Sequence, residues 1–192
     1  MANTDRPNGM VPWGHMISGC CPALSPIKHK IADQYNTALF RGQLVAINNA
    51  GNVVAAGASG NRVMGVFWGV EYVNAAGDQI IDNHWVASTD ATGDVVAKVY
   101  LDPFIIYMIQ ADGAIAEADV GLNADTTAEV GNATNGTSTQ ELDSATELTT
   151  AALQLRIWGK VDDPDNAWGT NVKLLVTVNE HAFFGAQDFT GL

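Results

Sequence analysis

Residues 42–73 read GQLVAINNAGNVVAAGASGNRVMGVFWGVEYV, and no other stretch limits the fold as strongly. Two short apolar runs flank Asn48-Asn49-Ala50-Gly51, and a longer valine-rich run follows over 62–73. β-branched runs joined by an Asn- and Gly-containing loop are the signature of a β-hairpin. Gly65 and Gly69 inside the third run predict bulges or a bend of the kind that curls a sheet toward closure. The whole stretch carries no residue set with catalytic chemistry.

Strand signals then recur about every ten residues, the spacing of a sandwich or barrel. They fall at 44–48, 52–56, 62–73, 79–87 and 94–110, the last interrupted at Asp102-Pro103, and again at 153–161 and 172–179. Asn74-Ala75-Ala76-Gly77-Asp78 reads as a second hairpin loop, and Pro103 as the start of a strand after a corner, since proline cannot donate to a ladder. Between 113 and 150 the apolar pattern thins into Ala, Thr, Asn and Gly, with 137–142 the one strand-like piece. That span is too long for a hairpin connection and predicts a loop-rich, surface-exposed excursion with short strands or one helical turn.

The first 40 residues differ. Pro7, Pro12, Pro22 and Pro26 alternate with Gly9, Gly14 and Gly19, which disfavours helix and central strand alike. Yet Met10, Val11, Trp13, Met16, Ile17, Leu24, Ile27 and Ile31 are apolar. A segment with anchors but no core of its own is expected to lie extended on its own domain or on a partner. Forty extended residues reach about 130 Å, so a partner surface is within range. The expected architecture is therefore all-β: an extended N-terminal arm over 1–40 and a barrel or sandwich body over 41–192.

Composition narrows the partners. Charged residues make up 16% of the 192-residue chain, below the usual value of about 25%. The formal charge is −12, with no Lys or Arg between Lys98 and Arg156. Such a field repels phosphate backbones and anionic headgroups, so neither nucleic acid nor a membrane surface is an expected partner. The N-terminus has no apolar signal region, and no run approaches the ~18 apolar residues of a span. Cys20 and Cys21 are adjacent, with Cα atoms about 3.8 Å apart, too close for an unstrained bridge, and read as free thiols in a reducing compartment.

Candidate chemistry is thin. His15, His29, His84 and His181 share no ligand spacing with each other or with the cysteines. Asp162, Asp163, Asp165 and Asn166 offer oxygen ligands, but without the glycine and distal glutamate of a calcium loop they read as a capped turn around Pro164. Nucleophile elbow, phosphate loop and dinucleotide fingerprint are all lacking, although spatially assembled carboxylate pairs leave no trace in a sequence. The expectation is a protein that is not an enzyme and needs no cofactor or metal. Of the tryptophans, Trp68, Trp85 and Trp158 fall in strands and read as core or barrel-lining, while Trp13 and Trp168 read as interface anchors. Met10, Trp13, Met16, Ile17, Leu24, Ile27 and Trp168 form the expected contact set.

Four segments together carry a resemblance: the opening Met-Ala-Asn-Thr-Asp-Arg-Pro-Asn-Gly, the block over 42–73, ADGAIAEADVGLNAD over 111–125, and TTAALQLRIWGKVDDPDNAWGTNVKLLVTVNEH over 149–181. With these the chain resembles the head decoration, or cement, proteins of tailed double-stranded DNA bacteriophages. The resemblance implies a β-rich structural virion protein, made in the host cytoplasm and bound to the outside of the capsid head. It further implies a homotrimer that joins neighbouring major capsid protein subunits and resists the pressure of packaged DNA. It transfers no catalytic residues. A reading of a different class is a virion-surface adhesion module that binds host carbohydrate through Trp168 and the excursion over 113–150.

Overall fold

The computed structural model describes residues 3–18, 25–32, 35–57, 62–86 and 91–184. Fifteen strands run along the described residues: β1 Val11–His15, β2 Ile27–Ile31, β3 Leu39–Phe40, β4 Leu44–Ile47, β5 Val53–Ala55, β6 Val63–Asn74, β7 Gln79–Asp82, β8 His84–Trp85, β9 Ala91–Tyr100, β10 Ile105–Gln110, β11 Ala114–Ile115, β12 Asn123–Ala124, β13 Leu155–Lys160, β14 Gly169–Thr170 and β15 Lys173–Val178. A 3₁₀ turn, Glu117–Asp119, falls between β11 and β12.

One sheet has the order β4-β5-β2-β9-β6-β7, and β4 also pairs with β6. That extra pairing joins the two ends of β4-β5-β2-β9-β6 and makes a closed barrel, with β7 outside on β6. The long strand β6 makes closure possible. Its first half pairs with β4 (Leu44↔Val66, Ala46↔Val63) and its second half with β7 (Val70↔Asp82, Val73↔Gln79), while β9 runs along its other edge. The register slips between Phe67 and Gly69 on the β9 side and beside Gly65 on the β4 side, which is the bulging that the glycines announce. A Cβ on Gly65 would collide with the Tyr100 carbonyl, so the close approach of β6 to the end of β9 requires glycine there.

Both hairpin loops form as read. Asn48 N–H donates to the Asn52 carbonyl at 3.0 Å, and the Asn48 side chain accepts from the amides of Ala50 and Asn52. Asn74 repeats the arrangement with Asp78, and Gly51 and Gly77 take the left-handed conformation (φ 80° and 91°) that closes each turn.

A second sheet, order β1-β10-β15-β13-β12, packs against the barrel wall. Two cores result. Inside the barrel lie Ile31, Val45, Met64, Phe67, Val70, Val95, Ala97 and Val99. Between barrel and open sheet lie Met10, Leu44, Val63, Val66, Tyr107, Ile109, Leu155, Ile157, Leu174 and Val176. Alternate residues of β4 and β6 therefore feed different cores, which is why residues 42–73 are apolar almost throughout rather than at every second position.

The described part of the first 40 residues holds three strands, and they do not form an arm apart from the body. Ile27–Ile31 is a wall strand of the barrel, pairing with β9 from Ile27↔Val99 to Ile31↔Val95 and meeting β5 at Ile31↔Val53. Val11–His15 is the edge strand of the open sheet, paired with β10. Pro12 is tolerated because β1 is an edge and its register breaks between Pro12 and Gly14. A division at residue 40 thus cuts through the barrel.

The excursion over 113–150 is loop-rich, with two-residue strands and the 3₁₀ turn. Its 137–142 piece is not a strand and makes isolated bridges at Thr137 and Leu142. The excursion is less exposed than expected, because Leu142 and Ala124 enter the core. A buried polar network holds it. Gln140 Oε1 accepts from the Leu44 amide at 2.8 Å, Thr126 Oγ1 donates to Gln154 Oε1 at 2.9 Å, and Gln154 Nε2 donates to the Gly57 carbonyl at 2.7 Å. Polar side chains spent on backbone partners leave no hydrophobic periodicity to read.

Candidate functional site: the free face of the open sheet

Each strand of the open sheet alternates between the core and the opposite face. On β13, Leu155 and Ile157 enter the core, which places Arg156 and Trp158 outward; on β15, Leu174 and Val176 do so, which places Leu175 and Thr177 outward. By the same rule Ile106 and Met108 of β10 face away from the barrel. The outward face is apolar in the main, and no element of the described chain is paired over it. Trp158 is 48% exposed, and its Nε1–H donates to Thr177 Oγ1 at 2.9 Å.

Across this face runs a groove of about 530 Å³. Ile157, Trp158, Thr177 and Val178 line it from the sheet, Val120 and Gly121 from the excursion, and Met16, Phe104 and Phe184 from the opposite side. Phe104 meets Phe184 edge-on, with ring centroids 5.0 Å apart. The Met16 amide donates to the Phe104 carbonyl at 2.9 Å, which fixes the end of the N-terminal strand to this wall. His15 strengthens the attachment. Its Nδ1 accepts from the amides of Ile17 and Ser18, so the neutral ring carries its proton on Nε2, 3.1 Å from Asp102 Oδ2.

Two titratable groups line the groove besides the apolar ones. His181 is buried, and burial pushes its pKa down against the weaker opposing pull of the Leu101 carbonyl and Asp102. Its Nδ1 accepts from the Phe183 amide at 3.2 Å. Arg156 is half-buried and has neither an ion pair nor a side-chain hydrogen bond among the described residues.

The expected contact set divides. Trp13, Met16 and Ile17 are exposed at the edge of the open sheet, with Ile17 at 74%. Ile27 is exposed too, but on the barrel strand β2. Met10 is fully buried and bound through its amide to the Gly42 carbonyl at 2.8 Å, so it anchors the N-terminal segment to its own body. Trp168 is partly buried, packed against the core between the sheets. Leu24 lies outside the described residues, as do Cys20 and Cys21.

Of the strand tryptophans, Trp85 is core, but Trp158 is not, and Trp68 is only partly buried, with the Arg41 guanidinium 3.9 Å above its ring. The signal for Trp158 was in Leu-Arg-Ile-Trp, where period two groups the tryptophan with Arg156 and not with the leucine and isoleucine.

At the Asp162 to Asn166 turn, the buried Asn166 side chain bridges Val161 and Lys173 by three hydrogen bonds of 2.9 Å. Among the described residues no group of three or more His, Cys, Asp or Glu side chains is placed to hold a metal, and no helix is long and apolar enough to cross a membrane. No protein-family model, no curated protein and no solved structure matches this chain.

Proposed function

We propose that this protein is a structural component of a phage head, bound to the outside of the capsid, where it cements neighbouring major capsid protein subunits. The observation that carries the reading is the apolar free face of the open sheet, with Met16, Trp158 and Phe184 all more than two-fifths exposed. A contiguous face of this kind, rich in Trp, Met and Phe, has the composition of a protein interface. The barrel behind it gives the face a rigid support without free edges in its wall. The sequence resemblance to decoration proteins names the partner, and the charge of −12 keeps a particle covered in many copies soluble.

The mechanism is mass action. A protein that binds only the assembled shell stabilises it by RT ln(1 + [L]/Kd) per site. Three copies around a three-fold axis would act as one multivalent clamp, through the effective concentration that joins their binding events. Quantitative mass spectrometry of purified particles should find this chain at hundreds of copies, in fixed ratio to the major capsid protein. A handful of copies per particle would overturn the reading and favour a tail or fibre component.

A further inference from the structure

We infer that the groove on the open sheet binds an extended segment of a partner protein in which a large apolar side chain stands beside a carboxylate, and that Arg156 recognises the acid. The inference rests on the open sheet's free face being the partner-facing one, and it adds the chemistry of the segment that is bound.

Three observations lead there. First, the groove's volume of about 530 Å³ suits a few side chains, and its walls of Trp158, Met16, Phe104 and Phe184 are the residue types that dominate interface anchors. Second, the indole and hydroxyl of the groove are engaged with each other, while His181 Nε2 and Asn179 Oδ1 are buried without a hydrogen-bond partner among the described residues. Trp158 Nε1–H and Thr177 Oγ1 satisfy each other, so the indole presents its apolar ring. His181 is held neutral by burial, and its Nδ1 is occupied by the Phe183 amide. Third, Arg156 is the one Lys, Arg, Asp or Glu among the lining residues, and among the described residues it stands without a carboxylate partner although acids outnumber bases 21 to 9 in the chain.

Desolvation turns these observations into selectivity. Any occupant that covers the groove also removes water from a guanidinium that is half-buried already. A covered, unpaired guanidinium is strongly unfavourable, while a carboxylate at that point accepts two parallel N–H donors. Apolar segments without an acid are therefore penalised, and basic ones more so. The walls supply affinity and Arg156 supplies discrimination.

The test is a selection of random linear peptides on the immobilised full-length protein, followed by solution affinities. The recovered peptides should share Asp or Glu within two residues of Trp, Phe, Leu, Ile or Met. Arg156→Gln should weaken them at least tenfold at an unchanged melting temperature, and Trp158→Ala should do the same. Arg156→Glu should weaken them further and regain affinity for the peptide whose acid is replaced by lysine. If the charge reversal does not fold, the neutral glutamine variant decides alone. Failure to recover any peptide, peptides without an acid, or binding indifferent to Arg156→Gln would each overturn the inference. The particle copy number is a separate readout. Many copies without peptide recognition leaves the capsid assignment standing and removes this one; peptide recognition with few copies does the reverse.

Discussion

The barrel and the open sheet are built from similar strands, yet they solve the problem of apolar surface in opposite ways. In the barrel, β4-β5-β2-β9-β6 close on themselves through the β4–β6 pairing, so the wall has no free edge and its inner face is filled by Phe67, Met64, Val70 and Val99. The open sheet has β1 at one edge and the two-residue β12 at the other, and it fills one face against the barrel while the other carries Trp158, Leu175 and Met108 outward. Closure uses up apolar side chains; an open sheet leaves a face to be covered by something else. The first region is therefore a scaffold and the second a candidate for contact.

Removing residues 1–31 should break this contrast most severely. The truncation takes β2 out of the ring and leaves β5 and β9 with unpaired edges, besides stripping β1 from the open sheet. The expected product lacks a cooperative thermal transition and aggregates. A truncated chain that melts cooperatively near the temperature of the full chain would show that the barrel does not depend on its N-terminal strand.

Single truncations should separate the two faces cleanly. Phe67 is fully buried inside the barrel, and Phe67→Ala should cost about 3–5 kcal/mol by chemical denaturation. Trp158→Ala on the free face should cost less than about 1 kcal/mol, in keeping with a half-exposed side chain that leaves no cavity. If the chain binds capsids as proposed, the same change should nonetheless lower its occupancy on purified capsids well below wild type. Equal stability losses at the two positions would mean that the free face is structural rather than free.

The smallest effect concerns the seam between the N-terminal segment and the excursion. Burial first, then the carboxylates of Asp5 and Asp112, push the Glu141 pKa up to about 7. Asp125 and Glu147 are raised too, chiefly by burial. A carboxyl group whose folded pKa lies above its unfolded one favours folding most at low pH, where both states hold the proton. That advantage is lost as pH rises from the ordinary glutamate range through about 7, because the unfolded chain gives up its proton first. Melting temperature should fall over that window, and Glu141→Gln should flatten the fall, gaining more at pH 8 than at pH 4.5. A variant with an unchanged pH profile would remove Glu141 from the account.

The legible parts of the fold were those with strong local chemistry. The Asn48 and Asn74 loops close through the asparagine side chain and a left-handed glycine four residues' span apart at most, so sequence alone places both hairpins. The missed strand β2 reads Ile-Lys-His-Lys-Ile and buries only Ile31 fully, with Ile27 left exposed. One buried side chain gives no periodicity to detect. β1 was hidden by Pro12 and Gly14, which an edge strand with a bulge accommodates and a central strand would not. The excursion reads as loop-rich, but its attachment through Gln140 and Gln154 depends on side chains reaching backbone groups distant in sequence.

For the site, the sequence marked Trp13, Met16 and Ile17, since apolar residues in a segment unable to form a core must meet some surface. It set Trp158 in the core, for want of knowing which face of β13 the barrel would cover. By itself the chain determines an all-β fold, two tight hairpins and a long glycine-bent strand, because each follows from interactions a few residues apart. Only the tertiary structure decides that β4 and β6 close a barrel, that Met10 and Trp168 turn inward, and that Arg156 and Trp158 share a groove with Met16 and Phe184. Those outcomes depend on pairings between residues distant in the chain, and strand alternation fixes two faces without saying which one a distant element will bury.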